Sequence, residues 1–266
     1  MTEAIETKHG AIRAYYDTLF SAWGRQHWWP AQSRFEVIVG AFLTQNTSWT
    51  NVERALASMR QARVLSISGI RRTPLPQLER LIRSAGYFRQ KARRLKAFVR
   101  FLDRNYSGSL ARMFAQPTAK LREELLTLNG IGPETADSIL LYAGNHSVFV
   151  VDAYTRRILE RHELIGSRAR YDEIRQLCEQ ALFPLAEALP YDPGNAVNSG
   201  GSVGSAHPPS RMSKTSRPAA VQVFNEMHGL IVGVGKNFCK KSQPECERCP
   251  LQKFLPSAKS EHESRS

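Results

Sequence analysis

The chain has 266 residues and a formal net charge of +13, because 37 Lys and Arg residues outnumber 24 Asp and Glu residues. A chain of this length folds into one large or two moderate domains with buried cores, which excludes a small peptide-like scaffold. The excess of positive charge indicates a polyanionic partner, and it leaves DNA, RNA and an anionic membrane open.

Membrane insertion and secretion are not expected. The chain has no run of about 18 apolar residues, and its first residues, MTEAIETKHG, lack the basic and apolar regions of a signal peptide. Four cysteines are too few for a disulfide scaffold of this length. We therefore expect a soluble cytoplasmic protein, associated with the nucleoid if the source is prokaryotic.

Apolar residues recur at helical spacing along most of the chain. Helices are predicted from His9 to about Gly24, from Phe35 to Phe42, and over residues 49–60, 76–84, 88–104, 118–127, 134–143, 153–162, 170–182 and 219–234. Only Ser147–Val151 resembles a strand, so the predicted fold class is all-α. Residues 190–218 are rich in Gly, Ser, Pro and Asn and have no apolar period, which predicts a mobile insertion without a catalytic role.

The predicted helix over residues 88–104 is strongly basic. It reads FRQKARRLKAFVRFLDR and carries seven Lys or Arg residues. Leu95, Phe98, Val99 and Leu102 form its apolar side, so the basic residues should form a cationic face. Such faces are usually only solvated, and contact of some of these side chains with a nucleic-acid backbone is the alternative.

Two predicted helices are joined by Leu128-Asn129-Gly130-Ile131-Gly132-Pro133, which has the form of a compact helix-hairpin-helix. Gly130 and Gly132 lack Cβ atoms, so the backbone can approach a phosphate closely while amides at the next helix start point at the anion. Ile131 would fill the space between the two helices. The predicted phosphate-binding residues are Leu128, Gly130, Ile131 and Gly132. An ordinary helix–helix turn is the alternative.

Asp152 follows the apolar run Val148–Val151 and precedes a predicted helix, which by itself indicates an N-cap. Together, LNGIGPETADSILLYAG and VFVVDAYTRRIL are similar to the catalytic core of the endonuclease III superfamily of helix-hairpin-helix (HhH-GPD) DNA glycosylases. In that family the hairpin grips DNA beside the lesion and the aspartate is essential, so the resemblance implies that Asp152 is the catalytic carboxylate. The chemistry agrees, because cleavage of a base–sugar bond builds positive charge on the sugar.

Position 134 bears on the type of glycosylase. Bifunctional members of the family carry a lysine just before the Thr-Ala that follows the hairpin, and this lysine forms a Schiff base with the sugar. The chain has Glu134 there, and a carboxylate cannot form an imine. Lys120 lies too far upstream in the sequence to be assigned that role. The resemblance therefore implies a monofunctional enzyme that hydrolyses the bond with water and has no lyase activity on abasic sites.

Two aromatic segments, WWP and FLTQNTSW, are similar to the 3-methyladenine DNA glycosylase III branch of the superfamily. The base-pocket and strand-insertion residues that this resemblance implies are Trp28, Trp29, Pro30, Gln45, Asn46 and Trp49. Indole rings attract flat, often cationic alkylated purines without needing a unique hydrogen-bond pattern. The alternative is that the tryptophans anchor or cover the core and that Gln45 is a polar residue at a helix end.

Cys239-x6-Cys246-x2-Cys249 matches the first three ligands of the iron–sulfur loop typical of endonuclease III relatives, but the fourth position is Leu255. Cys178 shares a helical face with apolar residues and should pack in the core. A [4Fe–4S] cluster with a non-cysteine or labile fourth ligand and a cluster-free loop both stay open, with zinc less favoured. In either case the loop would be structural and would bring basic residues near DNA, namely Lys236, Lys240 and Lys241.

The resemblance covers roughly residues 20–165 and 219–254 and implies two helical lobes. Residues 26–146 would form a helical barrel that contains the hairpin. Residues 1–25 plus 147–254 would form the second lobe with the cysteine loop, and residues 255–266 a disordered tail. The active site is expected in the cleft between the lobes.

The function that the resemblance implies is hydrolytic removal of alkylated purines, especially 3-methyladenine-like lesions, in base excision repair. The expected partner is double-stranded DNA with a damaged base, no membrane is involved, and the protein should act as a monomer. One alternative is an endonuclease III-like glycosylase for mismatched thymine or uracil or for oxidised pyrimidines. The other is a non-catalytic DNA-binding module in which Asp152 only caps a helix.

Overall fold

The computed structural model describes residues 2–188 and 209–256, in which the regular secondary structure is helical and no strand occurs. The all-α fold class predicted from the sequence is thus confirmed. The chain divides into two units, one made of Met1–Pro30 with Ser147–Ser266 and the other of Ala31–His146. Residues 26–30, which the sequence analysis assigns to the helical barrel, group with the first of these units.

The unit Ala31–His146 is built around α2, whose residues from Phe35 to Leu43 are all buried. A helix that is apolar on every side is stable only at the centre of a fold. Around it pack α6 and the π-helical segment Ile139–Gly144, which continues α9. The helices of this unit are α2 (Arg34–Leu43), α3 (Trp49–Gln61), α4 (Ile67–Arg72), α5 (Leu75–Leu81), α6 (Phe88–Tyr106), α7 (Leu110–Phe114), α8 (Thr118–Leu126) and α9 (Pro133–Ser138).

The other unit has a corresponding central helix. Its helices are α1 (Thr2–Trp23), α10 (Ala153–Arg161), α11 (Tyr171–Ala188) and α12 (Ala219–Asn237). From Val223 to Gly235 every residue of α12 is buried, and α1, α10 and α11 pack against it. In the described part of the chain, none of the helices has the length and apolar character needed to cross a bilayer.

Two short helices, α4 and α7, were not predicted. Each has at most six residues, which is too short to give a recognisable apolar period. Both begin at a serine whose side chain accepts a backbone hydrogen bond, from Gly69 to Ser66 and from Arg112 to Ser109. Helix α11 also continues past the predicted end at residue 182 to Ala188.

The prediction of a strand at Ser147–Val151 is wrong. Val148–Val151 is buried but forms no strand in the described residues. Instead, the amide of Phe149 donates to Glu179 Oε1 at 2.9 Å, and the amide of Val151 donates to the Tyr171 hydroxyl at 3.3 Å. Side chains of α11 therefore satisfy the backbone donors that a neighbouring strand would otherwise have to satisfy.

The predicted insertion needs correction at its C-terminal end, because residues 209–218 contribute three buried side chains to the first unit. Ser210, Met212 and Arg217 are buried, and the Ser210 hydroxyl donates to the carbonyl of Trp29 at 3.3 Å. The segment is polar and has no apolar period, so burial of these few side chains could not be predicted from its composition. The rest of the predicted insertion, residues 190–208, and residues 257–266 of the predicted tail lie outside the described residues.

Candidate active site

The hairpin joins α8 to α9 within one unit. Gly130 has a φ of +82°, a left-handed conformation that is strained for residues with a Cβ, and a Cβ there would also force the Arg94 side chain to move. A Cβ on Gly132 would meet nothing within 4 Å, which leaves open space above the start of α9. Ile131 is buried, and its amide donates to the carbonyl of Leu128 at 3.0 Å. The Arg94 side chain thus covers the loop at Gly130, whereas the loop is open at Gly132.

A buried ion pair fixes the two hairpin helices to each other. Arg122 of α8 donates through Nε to Asp137 Oδ1 at 2.7 Å and through Nη2 to Oδ2 at 3.2 Å. The Asp137 side chain is fully buried. This two-point contact holds both partners in one geometry, which a single hydrogen bond would not do.

Gln45 is bound to the hairpin. Its Nε2 donates to the carbonyl of Gly130 and to Oγ1 of Thr135, both at 2.9 Å. Arg94 in turn donates to Gln45 Oε1 at 2.7 Å. The structure thus brings Gln45 together with the hairpin, and it adds Arg94, which the sequence analysis did not single out among seven basic residues of its helix. Asn46 beside it is exposed and adopts a left-handed conformation with φ of +53°.

Asp152 is the N-cap of α10 in the other unit. Its Oδ1 accepts hydrogen bonds from the amide of Thr155 at 2.7 Å and from the Thr155 hydroxyl at 2.9 Å. Its Oδ2 lies 3.6 Å from Nε2 of His228. Burial by itself would raise the pKa of Asp152, but His228 and the two Thr155 donors outweigh it, so the pKa lies below its ordinary value. The carboxylate is therefore fixed in orientation and ionised at neutral pH.

The paired tryptophans lie in the same unit as Asp152. Both are mostly buried, and the ring of Trp28 lies 6.1 Å from the ring of His228, centroid to centroid. The ammonium group of Lys236 lies 5.9 Å from the centroid of Trp28. Gly229 of α12 makes this approach possible, because a Cβ there would be 3.3 Å from Cβ of Trp28. Trp28, His228 and Asp152 thus form one connected group.

The predicted site residues are divided between the two units. The first holds Trp28, Trp29, Pro30 and Asp152, and the second holds Gln45, Asn46, Trp49, Leu128, Gly130, Ile131, Gly132 and Glu134. Sequence reasoning missed His228 and Thr155. A histidine inside the apolar stretch MHGLIVGVG was the one signal that could have indicated His228.

The relationship to known proteins follows from the segment that contains the hairpin and Asp152. A model of the HhH-GPD superfamily of base excision DNA repair proteins matches residues 39–184. The chain belongs to this superfamily. A protein of Methanocaldococcus jannaschii, whose name assigns it to the DNA repair glycosylases, is 39% identical over 254 residues, which cover 95% of this chain and 99% of the relative. The superfamily predicted from the hairpin and aspartate motifs is confirmed.

Two solved structures share the HhH-GPD fold. H. pylori 3-methyladenine DNA glycosylase bound to 1,N6-ethenoadenine has a TM-score of 0.66 and 25% identity, and the match covers 86% of this chain and 97% of that one. An endonuclease III trapped in a covalent intermediate with DNA has a TM-score of 0.67 and 20% identity, over 96% and 98% of the two chains.

Glu134 and Lys91 occupy contrasting environments in this fold. Glu134 is exposed in the first turn of α9, where a carboxylate also interacts favourably with the helix dipole. The basic face predicted for α6 excludes Lys91, which is buried and donates to the carbonyls of Leu43 and Ala85 at 2.9 and 2.8 Å. Burial lowers the pKa of Lys91 to about 8. Lys91 is therefore an internal support of the unit and does not contribute to the cationic face.

The cysteine loop does not enclose enough space for a [4Fe–4S] cluster. Cys239, Cys246 and Cys249 line one cavity, with Leu255 and His162 on its wall. The cavity measures about 20 Å³, which is room for about one water molecule and far less than a four-iron cluster. The His162 Nδ1 is already 2.8 Å from the Tyr15 hydroxyl. Within the described residues, no three His, Cys, Asp or Glu side chains are arranged as metal ligands.

Protein contacts hold this loop in place. Arg157 donates through Nε to the carbonyl of Cys239 at 2.8 Å. Arg161 donates to the carbonyls of Lys240 and Lys241 at 2.8 and 3.0 Å, and its Nη1 lies 3.2 Å from Sγ of Cys239. Burial and the nearby cysteines raise the pKa of the Cys249 thiol. The residues present do not fit a cluster that requires four thiolates.

Proposed function

We propose that this chain is a monofunctional DNA N-glycosylase, which extrudes a damaged base from double-stranded DNA and hydrolyses its N-glycosidic bond. The main support for the proposal is the environment of the Asp152 carboxylate. Its side chain is 13% exposed, it is held by Thr155, and its pKa lies below the ordinary value. A rigid, ionised carboxylate that is mostly shielded from water is suited to stabilising positive charge.

The chemistry follows from this geometry. As the base leaves, positive charge develops on the sugar, and the Asp152 carboxylate stabilises it electrostatically. Since Thr155 fixes Oδ1, the carboxylate needs no reorganisation when the charge appears. The same carboxylate orients a water molecule and accepts its proton as the water attacks the anomeric carbon. The products are a free base and an abasic site in an intact strand.

The hairpin supplies the proposed grip on DNA. The open space above Gly132 allows a phosphate to approach the amides that begin α9. Gln45 and Arg94 support the loop from the opposite side. Contact with phosphates at the hairpin would fix the position of the strand without selecting a base sequence.

Alkylated purines are the proposed substrates, with 3-methyladenine-like lesions foremost. The Trp28 ring already attracts one cation, the ammonium group of Lys236, and a cationic base would be attracted by the same physics. The H. pylori glycosylase of the same fold is bound to an alkylated-type purine, 1,N6-ethenoadenine. Removal of mismatched thymine or uracil, or of oxidised pyrimidines, is the second candidate, since an endonuclease III matches the fold equally well.

A panel of duplexes with single lesions tests this proposal. We expect release of free 3-methyladenine or 1,N6-ethenoadenine at rates at least about tenfold above those for thymine mismatches or oxidised pyrimidines. Strands should break only after alkali treatment, and borohydride should trap no protein on abasic DNA, because Glu134 cannot form an imine. Faster release of pyrimidines would show that the preferred substrates are pyrimidines and not alkylated purines. Trapping by borohydride would contradict the monofunctional mechanism.

We further propose that the cysteine loop is held by Arg157 and Arg161 and does not require a four-iron cluster. The anaerobically purified protein should then lack the absorbance band at about 400 nm that a [4Fe–4S] centre gives. Leu255→Cys is the matched variant, because it supplies the fourth thiolate and should increase iron and sulfide content. Four irons and four sulfides per wild-type chain would contradict this proposal.

A further inference from the structure

His228 is a buried polar residue of α12, as are Asn225 and Glu226. His228 is 4% exposed. The two carboxylate oxygens of Asp152 have different neighbours. Oδ1 accepts both hydrogen bonds from Thr155, while Oδ2 faces Nε2 of His228 at 3.6 Å. The imidazole thus lies at the one carboxylate oxygen that Thr155 does not hold.

Other charged groups near this part of α12 are engaged elsewhere. Glu226 accepts from the amide of Gln26 at 2.8 Å and from Gln222 at 2.6 Å. On α11, Glu179 is bound by Arg175 at 2.9 Å and by the amide of Phe149. Lys236 lies over the ring of Trp28. Among the described ion pairs, Asp152 is the acidic partner of His228.

Trp28 constrains the imidazole from a second side. The two rings are inclined by 56° with centroids 6.1 Å apart. The Cβ of Trp28 lies against Gly229, the residue after His228, because Gly229 has no Cβ of its own. A side chain that is buried between an indole and a carboxylate has little freedom to turn away. Its Nε2 therefore stays directed at Asp152.

We propose that His228 is a positioning residue for base excision, which holds Oδ2 of Asp152 while Thr155 holds Oδ1. The carboxylate then keeps both its charge and its orientation as the glycosidic bond breaks. This inference rests on the proposed function, in which Asp152 is the catalytic group. His228 itself touches neither substrate nor water in the proposal, and it acts only through Asp152.

The consequence is a specific change in pH dependence. Asp152 acts only when ionised, so the rate of base release falls as the pH drops through its pKa. His228 lowers the pKa of Asp152. Its loss should therefore move the acid limb of the rate profile upward, by roughly one pH unit, which corresponds to a tenfold change in the ionisation equilibrium.

The test compares three substitutions of nearly equal bulk. His228→Gln retains an N–H donor at about the reach of Nε2, His228→Asn carries the same amide one carbon shorter, and His228→Leu has no donor. Single-turnover base release at neutral pH should fall by about 10-fold to 100-fold in the Leu and Asn variants. The Gln variant should retain most of the rate, and its acid limb should move less than those of the Leu and Asn variants. Dissociation constants for lesion DNA should be unchanged, because positioning of the carboxylate alters the chemical step.

His9→Leu is the matched control, because His9 is a similarly buried histidine on α1, and it should leave rate and acid limb unchanged. If His228→Leu does not fold, as judged by its melting transition, the rates and acid limbs of His228→Gln and His228→Asn alone test the inference. Equal rates and acid limbs for those two variants would overturn the inference. Base release that does not depend on Asp152 at all would instead overturn the proposed function.

Discussion

Replacement of Asp152 by asparagine is expected to lower the single-turnover rate of base release by about 10³-fold. Asparagine removes the negative charge that stabilises the developing positive charge on the sugar, and it cannot accept the proton of the attacking water. The measurement is the first-order rate of free-base release from a lesion duplex with the enzyme in excess. Under these conditions, product release does not contribute to the rate.

The D152N variant should fold normally, so a loss of activity can be separated from a loss of structure. Asparagine is as favourable an N-cap as aspartate, so its side-chain oxygen should still accept the amide of Thr155 and α10 should stay intact. Melting temperature should change little, and affinity for lesion DNA should be equal or higher. If the variant released base at the wild-type rate, Asp152 would only cap α10 and the non-catalytic alternative would gain support.

Removal of the Asp137 carboxylate is expected to have the largest effect on stability. Asp137→Ala leaves the guanidinium of Arg122, whose side chain is 16% exposed, without its bidentate partner. Removing one partner of a buried ion pair costs about 3–5 kcal/mol of unfolding free energy. Urea denaturation followed by helical circular dichroism measures this cost, and the hairpin should also lose affinity for DNA because α8 and α9 are no longer fixed to each other.

Arg71 and Asp103 provide the matched comparison in the same unit. This pair also makes two hydrogen bonds, but its side chains are 45% and 36% exposed. Water screens an exposed pair, so Asp103→Ala should cost less than about 1 kcal/mol. Equal destabilisation by the two substitutions would show that burial of the Arg122–Asp137 pair is not what makes it important.

The hairpin and Asp152 could be predicted from sequence because each is a local feature. A glycine turn between two helical periods, and an aspartate at the start of a third, are visible in a few consecutive residues. The roles of Arg94 and His228 could not be predicted in this way. Each depends on a contact with a residue far away in the chain, Gln45 for Arg94 and Asp152 for His228, and local periodicity contains no information on such contacts.

Two further differences have the same origin. Val148–Val151 has the apolar character of a strand, but its backbone donors bind Glu179 and Tyr171 of α11. Residues 209–218 have the composition of a loop, yet Ser210 binds the backbone of Trp29. In both segments a few tertiary hydrogen bonds determine the structure, and composition alone does not reveal them.

The most direct test is an experimental structure of the D152N variant bound to a duplex with an alkylated purine, since the slow variant should retain its substrate. We predict an extruded nucleotide whose anomeric carbon lies within about 4 Å of the side chain at position 152. Lesion density still stacked in the duplex, or an extruded base remote from that side chain, would contradict this prediction.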